Sequence, residues 1–297
     1  MPSVKSKENT LTSLLRWGEA FLRERGIDAP RLEAELLFCS VLSVRRIDLY
    51  LRSDQAVAPR EETLFRERLL RRGAREPIQY IMGEVEFCGA PLFVEPGVFI
   101  PRPETELIVE SARRLLPAPR RILDLCTGSG ALALALAKAL PAAEIVATDC
   151  SETALKVAQK NAARHGPLYI VFLRGDLFEP LRNEAPFDLI VCNPPYIPQK
   201  DQADLQPEVR DYEPPVALFA PEEGTSFYRR ILREAPPFLT SRGRILFELG
   251  KGQGAWFQTF VREETNFSAT LTLDLAGVER IAACERVPTD PTWDCDG

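Results

Sequence analysis

Histidine is almost absent from this sequence of 297 residues, since His165 is the only one. This absence disfavours enzymes that depend on a histidine base, and most zinc hydrolases. The seven cysteines are odd in number and include no C-x-x-C pair, so we expect neither a disulfide framework nor a metal site. His165 precedes a glycine at a predicted helix end, and we assign it no catalytic role.

The sequence also lacks long apolar runs. No stretch approaches the roughly 18 apolar residues that identify a membrane helix. The polar N-terminus, MPSVKSKENT, lacks the apolar centre of a secretory signal. We therefore expect a cytoplasmic protein that has no membrane contact.

Basic residues are in the minority, and they are unevenly placed. Residues 1–75 carry 15 Lys and Arg against 11 Asp and Glu, whereas the remainder carries 22 against 32. An acidic body is a poor match for a phosphate backbone, so direct nucleic-acid binding is not expected. The basic N-terminal part suits an acidic partner surface, although a solvated charged face explains it equally well.

Four segments with different patterns divide the chain. Residues 1–75 show the spacing of amphipathic helices and no catalytic cluster, which predicts a small helical docking domain. Residues 76–95 alternate apolar and polar side chains between glycines, which predicts a β-hairpin linker. We assign residues 96–288 to a catalytic domain and the polar residues 289–297 to a loose tail.

Short apolar strands alternate with helical stretches from Arg120 onward. This alternation predicts an α/β fold that has a parallel sheet with helices on both faces. Ligands of such sheets bind at the carboxyl ends of the strands, where the strand order reverses. Residues of a binding site are therefore expected at strand ends.

A glycine loop follows the first of these strands. Its residues, which open a helix, are Cys126, Thr127, Gly128, Ser129 and Gly130. The glycines let the backbone turn sharply and approach a ligand closely. The dinucleotide fingerprint G-x-G-x-x-G is not met, because Cys and Ala stand at its first and last glycine positions. The loop therefore suits a nucleoside better than a pyrophosphate.

Acidic residues end the next two strands. We expect Asp149, about twenty positions after the loop, to accept hydrogen bonds from ribose hydroxyls. The alternative is that it caps the helix beginning at Ser151. We expect Asp176 to accept from an adenine amino group, with Leu177 or Phe178 packing on the ring. The alternative for Asp176 is an ordinary turn aspartate.

The segment FDLIVCNPPY is the most specific motif in the chain. Its strand delivers Asn193 to the same edge, and Pro194 and Pro195 stiffen the loop because each fixes its own φ angle. The side-chain oxygen of Asn193 and the carbonyl of Pro194 then present two acceptors, which suit a planar NH2 group. Tyr196 offers a ring against which that group stacks.

Such acceptors indicate methyl transfer onto an amide or amine nitrogen. This nitrogen has a delocalised lone pair, and hydrogen bonds to both N–H groups aim that pair at an incoming methyl. The expected donor is S-adenosylmethionine, whose leaving group is neutral, so positioning does most of the work. A proline-rich loop that merely ends a strand is the alternative, but it leaves the glycine loop and Asp149 unexplained.

Four segments resemble the HemK/PrmC methyltransferases, which modify the glutamine of the GGQ motif in peptide-chain release factors. They are PIQYIMGEVEFCGAPLFVEPGVFIPRPETE (77–106), LDLCTGSGALALALA (123–137), FDLIVCNPPYI (187–197) and EVRDYEPPVALFAPEEG (208–224). The motif NPPY alone is shared with nucleic-acid adenine methyltransferases and some guanine methyltransferases. The IPRPETE segment and the helical N-terminal region narrow the resemblance, which runs from about Leu11 to Val287.

The resemblance implies a class I S-adenosylmethionine-dependent methyltransferase fold preceded by a small helical domain. That fold is Rossmann-like, with a seven-stranded, mostly parallel sheet whose last strand is antiparallel, and ERIAACERV (279–287) is the candidate strand. The implied reaction methylates the N5 amide nitrogen of the GGQ glutamine and yields S-adenosylhomocysteine. Release factors are the implied partners, and we expect a monomer because no exposed apolar seam is evident.

Site residues are implied by the same resemblance. The cofactor contacts would be Cys126 through Gly130, Asp149, Leu177 and Asn193. The substrate contacts would be Asn193 through Tyr196, with Asn193, Pro194 and Tyr196 catalytic, and Arg102 and Glu106 would wall the pocket.

Two residues depart from the family pattern. Cys126 stands where glycine is common, so its φ angle is expected in a region open to other residues. Leu177 stands where a larger ring is found, which would loosen the packing on adenine.

Several alternatives stay open at this point. The first alternative is a methyltransferase for another protein glutamine, such as one on a ribosomal protein. The second is a methyltransferase for nucleic-acid amines, and the third is a nucleotide-binding module without catalysis. The acidic body disfavours the second, and the intact NPPY motif disfavours the third. Glu248, which ends the fifth strand, has either a role at the active edge or a structural one. For Cys126, Cys150 and Cys192 we expect packing.

Overall fold

The computed structural model describes residues 10–115, 117–182 and 184–287, so the predicted tail at 289–297 lies outside the described residues. Contacts between residues divide the chain into two compact units. Unit 1 contains the chain up to Glu84 and a second segment, Gln206–Tyr212. Unit 2 contains Val85–Leu205 and the chain from Glu213 onward.

The described residues form thirteen α-helices and eleven β-strands. The helices are α1 (Leu11–Glu24), α2 (Pro30–Leu42), α3 (Arg46–Leu51), α4 (Pro59–Gly73), α5 (Ile78–Met82), α6 (Glu106–Arg113), α7 (Ala131–Ala139), α8 (Glu152–Arg164), α9 (Pro207–Tyr212), α10 (Pro215–Leu218), α11 (Pro221–Gly224), α12 (Ser226–Glu234) and α13 (Gly254–Glu264). The strands are β1 (Glu84–Phe87), β2 (Ala90–Phe93), β3 (Arg121–Leu125), β4 (Glu144–Asp149), β5 (Ile170–Arg174), β6 (Phe187–Cys192), β7 (Ile197–Pro198), β8 (Phe219–Ala220), β9 (Leu239–Glu248), β10 (Phe267–Leu273) and β11 (Glu279–Arg286).

Unit 1 is helical, as the sequence predicts. Prolines begin α2 and α4. Proline is tolerated there because a backbone N–H at the first helical position would have no acceptor within the helix. Phe38 of α2 stacks on Phe65 of α4 with ring centroids 4.2 Å apart, and both side chains are fully buried. The short helix α3 was not predicted.

Helix α9 belongs to unit 1, although it is distant in the chain from the other helices of that unit. Its Glu208 accepts hydrogen bonds from Arg72 at 2.8 Å and from Arg75 at 2.7 Å. The side chain of Arg72 is 6% exposed and also pairs with Glu33. A buried guanidinium is stable only when its charge is compensated. Glu208 therefore completes the charge balance inside unit 1, which the sequence did not predict.

Strands β1 and β2 form a hairpin. Cys88 and Gly89 make its turn, and both have positive φ angles, 49° and 69°. Such backbone is typical of the two-residue turns that match the twist of paired strands. The hairpin is shorter than the predicted segment 76–95, because Ile78–Met82 is helical.

The sheet of unit 2 has seven strands in the order β10-β11-β9-β6-β3-β4-β5. Strands β5, β4, β3, β6 and β9 pair in parallel with their neighbours in that series. Strand β11 runs antiparallel to both β9 and β10. The predicted α/β fold is confirmed, including the seven-stranded, mostly parallel sheet and the antiparallel strand at 279–287.

Alternate side chains of the central strands pack on opposite faces of the sheet. Leu123, Ile190 and Ile245 pack in one core with residues of α12 and α13. Ile122 and Leu189 pack in the other core with residues of α6 and α7. Helices therefore cover both faces, as predicted.

The strand register aligns four carboxyl ends at one edge of the sheet. Leu125 of β3 lies opposite Thr148 of β4 and Cys192 of β6, and Cys192 lies opposite Phe247 of β9. We call this edge the rim. The residues that come next along these four strands are Cys126, Asp149, Asn193 and Glu248.

Candidate active site

The glycine loop, Cys126–Gly130, connects β3 to α7 at the rim. Buried Asp124 holds it, because Oδ2 accepts from the Thr127 hydroxyl at 2.6 Å and from the Ala133 backbone N–H at 3.0 Å. Burial raises the pKa of Asp124 to about 7. Gly128 has a φ angle of 57°, and a side chain there would meet nothing within 4 Å. The space beside the loop is therefore open to a ligand.

Cys126 does not have the backbone conformation expected from the sequence. Its φ angle is 59°, in the left-handed region that glycine favours, so that expectation was wrong. Leu177, which follows β5, also has a positive φ angle, 48°. Left-handed backbone costs a non-glycine residue about 1–2 kcal/mol. Both strained residues follow strand ends of the parallel sheet, and strain of this kind is concentrated at functional sites.

Asp149 has acceptor positions to spare. Its Oδ2 accepts from the Gly128 backbone N–H and its Oδ1 from the Ser151 backbone N–H, each at 2.8 Å. Ser151 itself caps α8 through a hydrogen bond from the Ala154 N–H, so Asp149 is not the cap. A carboxylate has about four acceptor sites. The carboxylate therefore keeps acceptor capacity for a ribose hydroxyl, and burial raises the pKa of this carboxyl.

The predicted adenine contacts lie in different environments. Asp176 is exposed, and its carboxylate pairs with Arg230 at 2.8 Å. Phe178 is buried and stacks on Phe238 with ring centroids 4.8 Å apart, so its ring belongs to the core. Leu177 is also buried, at 4% exposure. Asp176 is thus the accessible member of the three.

Asn193 has an amide whose direction is fixed by its neighbours. Its Nδ2 donates to Oγ1 of Thr105 at 3.1 Å, and Thr105 donates to Glu248 at 2.5 Å. A hydroxyl has one hydrogen, and because Thr105 gives it to Glu248, Thr105 can only accept from Asn193. Oδ1 of Asn193 is therefore directed away from Thr105, and within the described part of the chain it accepts no hydrogen bond. We call Asn193–Tyr196 the NPPY corner.

Tyr196 is held at its hydroxyl and at its backbone. The hydroxyl donates to Oε1 of Glu248 at 3.2 Å, and the carbonyl accepts from Nε2 of Gln253 at 3.0 Å. Gly224, with a φ angle of 80°, passes so close that a Cβ there would lie 2.1 Å from the Tyr196 carbonyl oxygen. Burial raises the pKa of Tyr196 far above its usual value, so its hydroxyl stays a donor.

Glu248 and Thr105 are the residues behind the corner that the sequence does not assign. Glu248 is 1% exposed, and burial raises its pKa, while the Thr105 hydroxyl and the charge of Arg280 act in the opposite direction. The signal for Glu248 was its position, because it ends β9 as Asn193 follows β6. Thr105 stands in the PRPETE stretch that the family resemblance places at the pocket wall, but nothing in the sequence pairs it with a carboxylate 143 residues away.

Arg102 and Glu106, the predicted pocket wall, contact different parts of unit 2. Arg102 pairs with the buried carboxylate of Glu213. Glu106 accepts from the Cys88 backbone N–H at 2.7 Å and lines a cavity of about 510 Å³ beside the β1–β2 hairpin, α6 and α7. Glu106 is therefore directed to the hairpin, whereas its neighbour Thr105 reaches the NPPY corner.

Within residues 10–115, 117–182 and 184–287, no cluster of three or more His, Cys, Asp or Glu side chains is arranged to hold a metal ion. In the same described part of the chain, no helix has the length and apolar character needed to cross a lipid bilayer. The rim cysteines Cys126, Cys150 and Cys192 are free thiols, of which Cys150 is exposed and Cys192 is buried.

Known proteins match both units. The family model of the PrmC N-terminal domain matches residues 13–83, and that of the methyltransferase small domain matches residues 94–208. The release factor glutamine methyltransferase of Geobacter sulfurreducens is 46% identical over 82% of this chain and 85% of that protein. The chain belongs to the release factor glutamine methyltransferase family.

Membership of the release factor glutamine methyltransferase family extends over nearly the whole chain. The protein of that name from Nitratidesulfovibrio vulgaris is 38% identical over 96% of this chain and 98% of its own length. A solved methyltransferase from Pyrococcus furiosus has a TM-score of 0.51 at 17% identity, covering 67% of this chain and 89% of that one, which shows a shared fold alone. The resemblance to the HemK/PrmC methyltransferases is confirmed, and the chain is a methyltransferase.

Proposed function

We propose that the chain methylates the N5 side-chain amide nitrogen of the glutamine in the GGQ motif of peptide-chain release factors. S-adenosylmethionine would be the donor and S-adenosylhomocysteine the product. The observation that carries the proposal is the fixed direction of the Asn193 amide, which leaves Oδ1 as an acceptor, and the Pro194 carbonyl would be the second one. Two acceptors match the two N–H groups of a primary amide.

The residues of the rim fit S-adenosylmethionine. The Asp149 carboxylate keeps acceptor capacity for the ribose, and the space beside Gly128 is open. We assign the cofactor contacts to Cys126, Thr127, Gly128, Ser129, Gly130, Asp149, Asp176, Leu177 and Asn193. When bound, the cofactor would supply a methyl group attached to a positively charged sulfur. The leaving group would be a neutral thioether.

The NPPY corner would prepare a weak nucleophile. The lone pair of an amide nitrogen is delocalised, so the protein helps most by fixing the position and plane of the amide. Asn193 Oδ1 and the Pro194 carbonyl would hold the two N–H groups, and the Tyr196 ring would pack on the amide plane. Pro195 keeps the loop rigid. The methyl replaces one N–H hydrogen, which leaves as a proton.

Supporting roles are assigned to the segment that precedes α6. Arg102, through its ion pair with buried Glu213, would hold the wall of the substrate pocket and the turn that contains Thr105. Glu106 would fix the other end of that segment to the hairpin through the Cys88 N–H.

We further propose that unit 1 docks the release factor and that a single copy of the chain is the complete enzyme. The net positive charge of residues 1–75 suits an acidic protein surface. Every side chain of the rim and of the NPPY corner comes from unit 2 of one chain. The enzyme would act in the cytoplasm, without binding nucleic acid directly.

The test is a transfer assay with the full-length protein and S-adenosylmethionine labelled in its methyl group. The substrates are a release factor and the same factor with its GGQ glutamine replaced by alanine. Label is expected on the intact factor alone, and mass spectrometry should place it on the glutamine side chain. Undiminished label on the replaced factor would reject the proposal, as would preferred labelling of ribosomal protein or RNA offered in parallel.

A further inference from the structure

Three elements of unit 2 meet behind the NPPY corner. Glu248 ends β9, Thr105 ends the turn before α6, and Asn193 follows β6. Strands β6 and β9 are parallel neighbours, which places Asn193 and Glu248 side by side at the rim. Thr105 is 4% exposed and Glu248 is 1% exposed, so any effect of these two side chains on a substrate passes through other residues.

The carboxylate of Glu248 determines the directions of the hydrogen bonds behind the NPPY corner. Both oxygens of Glu248 act as acceptors, and Oε2 accepts from the Thr105 hydroxyl at 2.5 Å. Thr105 then has only lone pairs for Asn193, whose Nδ2 lies 3.1 Å away. If the Asn193 amide turned over, Oδ1 would face those lone pairs with no hydrogen between them. The carboxylate thereby determines which atom of Asn193 points away from Thr105.

The same carboxylate also reaches the other side of the corner. Oε1 of Glu248 accepts from the Tyr196 hydroxyl at 3.2 Å, which fixes the outer end of the ring. One oxygen of Glu248 thus acts on Asn193 through the Thr105 hydroxyl, and the other contacts Tyr196 directly.

We propose that Glu248 and Thr105 are positioning residues, which align the Asn193 amide and the Tyr196 ring for methyl transfer. This inference deepens the proposed function and rests on it. Packing alone does not explain the pair, because burying a carboxylate costs free energy that an apolar side chain of similar size would not. A buried carboxylate at the rim is instead explained by the directions that it imposes.

The first test compares variants of the full-length enzyme. Thr105→Val keeps the shape of the side chain but removes the hydroxyl, whereas Thr105→Ser restores a hydroxyl. We expect Thr105→Val to lower kcat by on the order of 100-fold, the effect of a small misplacement of a reacting group. The KM for the release factor and the Kd for S-adenosylmethionine are expected to stay unchanged. Thr105→Ser should recover most of the lost kcat.

The matched control is Thr240→Val at the opposite end of β9, where the hydroxyl donates to Asp188. It removes the same hydroxyl without touching the corner, so kcat is expected to stay at the wild-type value. Glu248→Gln should resemble Thr105→Val, because an amide NH2 donates to Thr105 and frees the threonine hydrogen to bind Oδ1 of Asn193. Thermal unfolding of each variant establishes that the chain is folded.

A double-mutant cycle decides whether Thr105 acts through Asn193. In an Asn193→Ala background, Thr105→Val is expected to cause no further loss of kcat, because the group that it orients is gone. The proposal is overturned by an equal loss in both backgrounds, by a rise in KM at unchanged kcat, or by failure of Thr105→Ser to restore turnover.

A measurement without turnover separates this proposal from the proposed function. Nitrogen-15 spectra of the full-length protein report the side-chain NH2 of Asn193, which is assigned from its absence in Asn193→Ala. Protection of this group from hydrogen exchange is expected in the wild type and its loss in Thr105→Val. Unchanged exchange overturns the positioning role. A wild-type enzyme that fails to label the release factor overturns the proposed function instead.

Discussion

The Asp149 carboxylate accepts a hydrogen bond from the Gly128 backbone N–H at 2.8 Å, which ties the end of β4 to the glycine loop after β3. One side chain thus shapes the loop and offers the acceptors that a nucleoside requires. Its second oxygen accepts from Ser151, so the carboxylate is fixed before any ligand arrives.

Asp149→Ala is expected to weaken S-adenosylmethionine binding by about 10-fold to 100-fold, as measured by calorimetry. Hydrogen bonds to a charged group contribute about 1.5–3 kcal/mol, and about 1.4 kcal/mol corresponds to a factor of ten. Asp188→Asn is the control, because Asp188 accepts from backbone N–H groups at the opposite end of the sheet. Wild-type affinity in Asp149→Ala would show that the ribose is held elsewhere.

Asn193→Ala is expected to lower kcat by on the order of 100-fold to 1000-fold, the usual effect of removing one transition-state contact. S-adenosylmethionine binding should be largely retained, because the glycine loop and Asp149 are intact. Steady-state assays and calorimetry measure the two quantities separately. Near-normal turnover of this variant would contradict the proposed grip on the glutamine amide.

Asp176 and Arg230 form an exposed pair, so their contributions can be separated. If Asp176 accepts from the adenine amino group, Asp176→Ala raises the Kd for the cofactor by about 2-fold to 10-fold, the effect of one hydrogen bond. Arg230→Ala removes only a surface ion pair and should leave the Kd unchanged. Equal effects from both variants would assign the loss to the ion pair and not to adenine.

Asp124 should make folding stability depend on pH. Its pKa in the folded chain is about 7, above the ordinary value of 3.8, because burial disfavours the charged form. Its contribution to stability is therefore complete below about pH 4 and is lost as the pH rises towards about 7. Asp124→Asn carries no charge, so its Tm relative to the wild type should rise from about pH 5 to about pH 8. A difference in Tm that is constant over this range would show that Asp124 does not titrate there.

Bound cofactor is expected to shield the thiols of Cys126 and Cys150 from alkylation. Both cysteines follow strand ends beside the proposed nucleoside site, whereas the control, exposed Cys88, lies in the hairpin turn. Burial raises the pKa of Cys150 and Cys88, so alkaline pH is needed to form the reactive thiolates. Peptide mapping after labelling measures each site. Equal labelling of Cys126 and Cys150 with and without S-adenosylmethionine would count against the assigned cofactor site.

The parts of the fold that sequence predicted are those with local signals. Strands such as Phe187–Cys192 are short apolar runs, and a polar residue or a proline pair marks where they end. Parallel strands bring such ends to one edge, so Asp149 and Asn193 were placed correctly at the rim. The antiparallel strand at 279–287 followed from the family resemblance.

The features that sequence missed depend on contacts between distant residues or on backbone strain. Thr105 gains its role only when β9 and β6 bring Glu248 and Asn193 beside it. The positive φ angle of Cys126 is not revealed by the cysteine itself, although the glycine that is common at this position in the family is typical of such backbone. Leu177 or Phe178 was expected to pack on adenine, and nothing in the sequence indicates that the Phe178 ring stacks on Phe238 in the core.

The pairing of Arg72 with Glu208 has a consequence for the order in which the protein matures. The two residues are separated by 136 positions. At roughly 5–20 residues per second of translation, the acidic partner is made roughly 7–27 seconds after the arginine. By then strands β1 to β7 have already been synthesised, and until then Glu33 is the partner that Arg72 already has. The helices of residues 11–82 thus emerge from the ribosome before Glu208, and the second carboxylate beside Arg72 and Arg75 arrives only with a later stretch of the nascent chain.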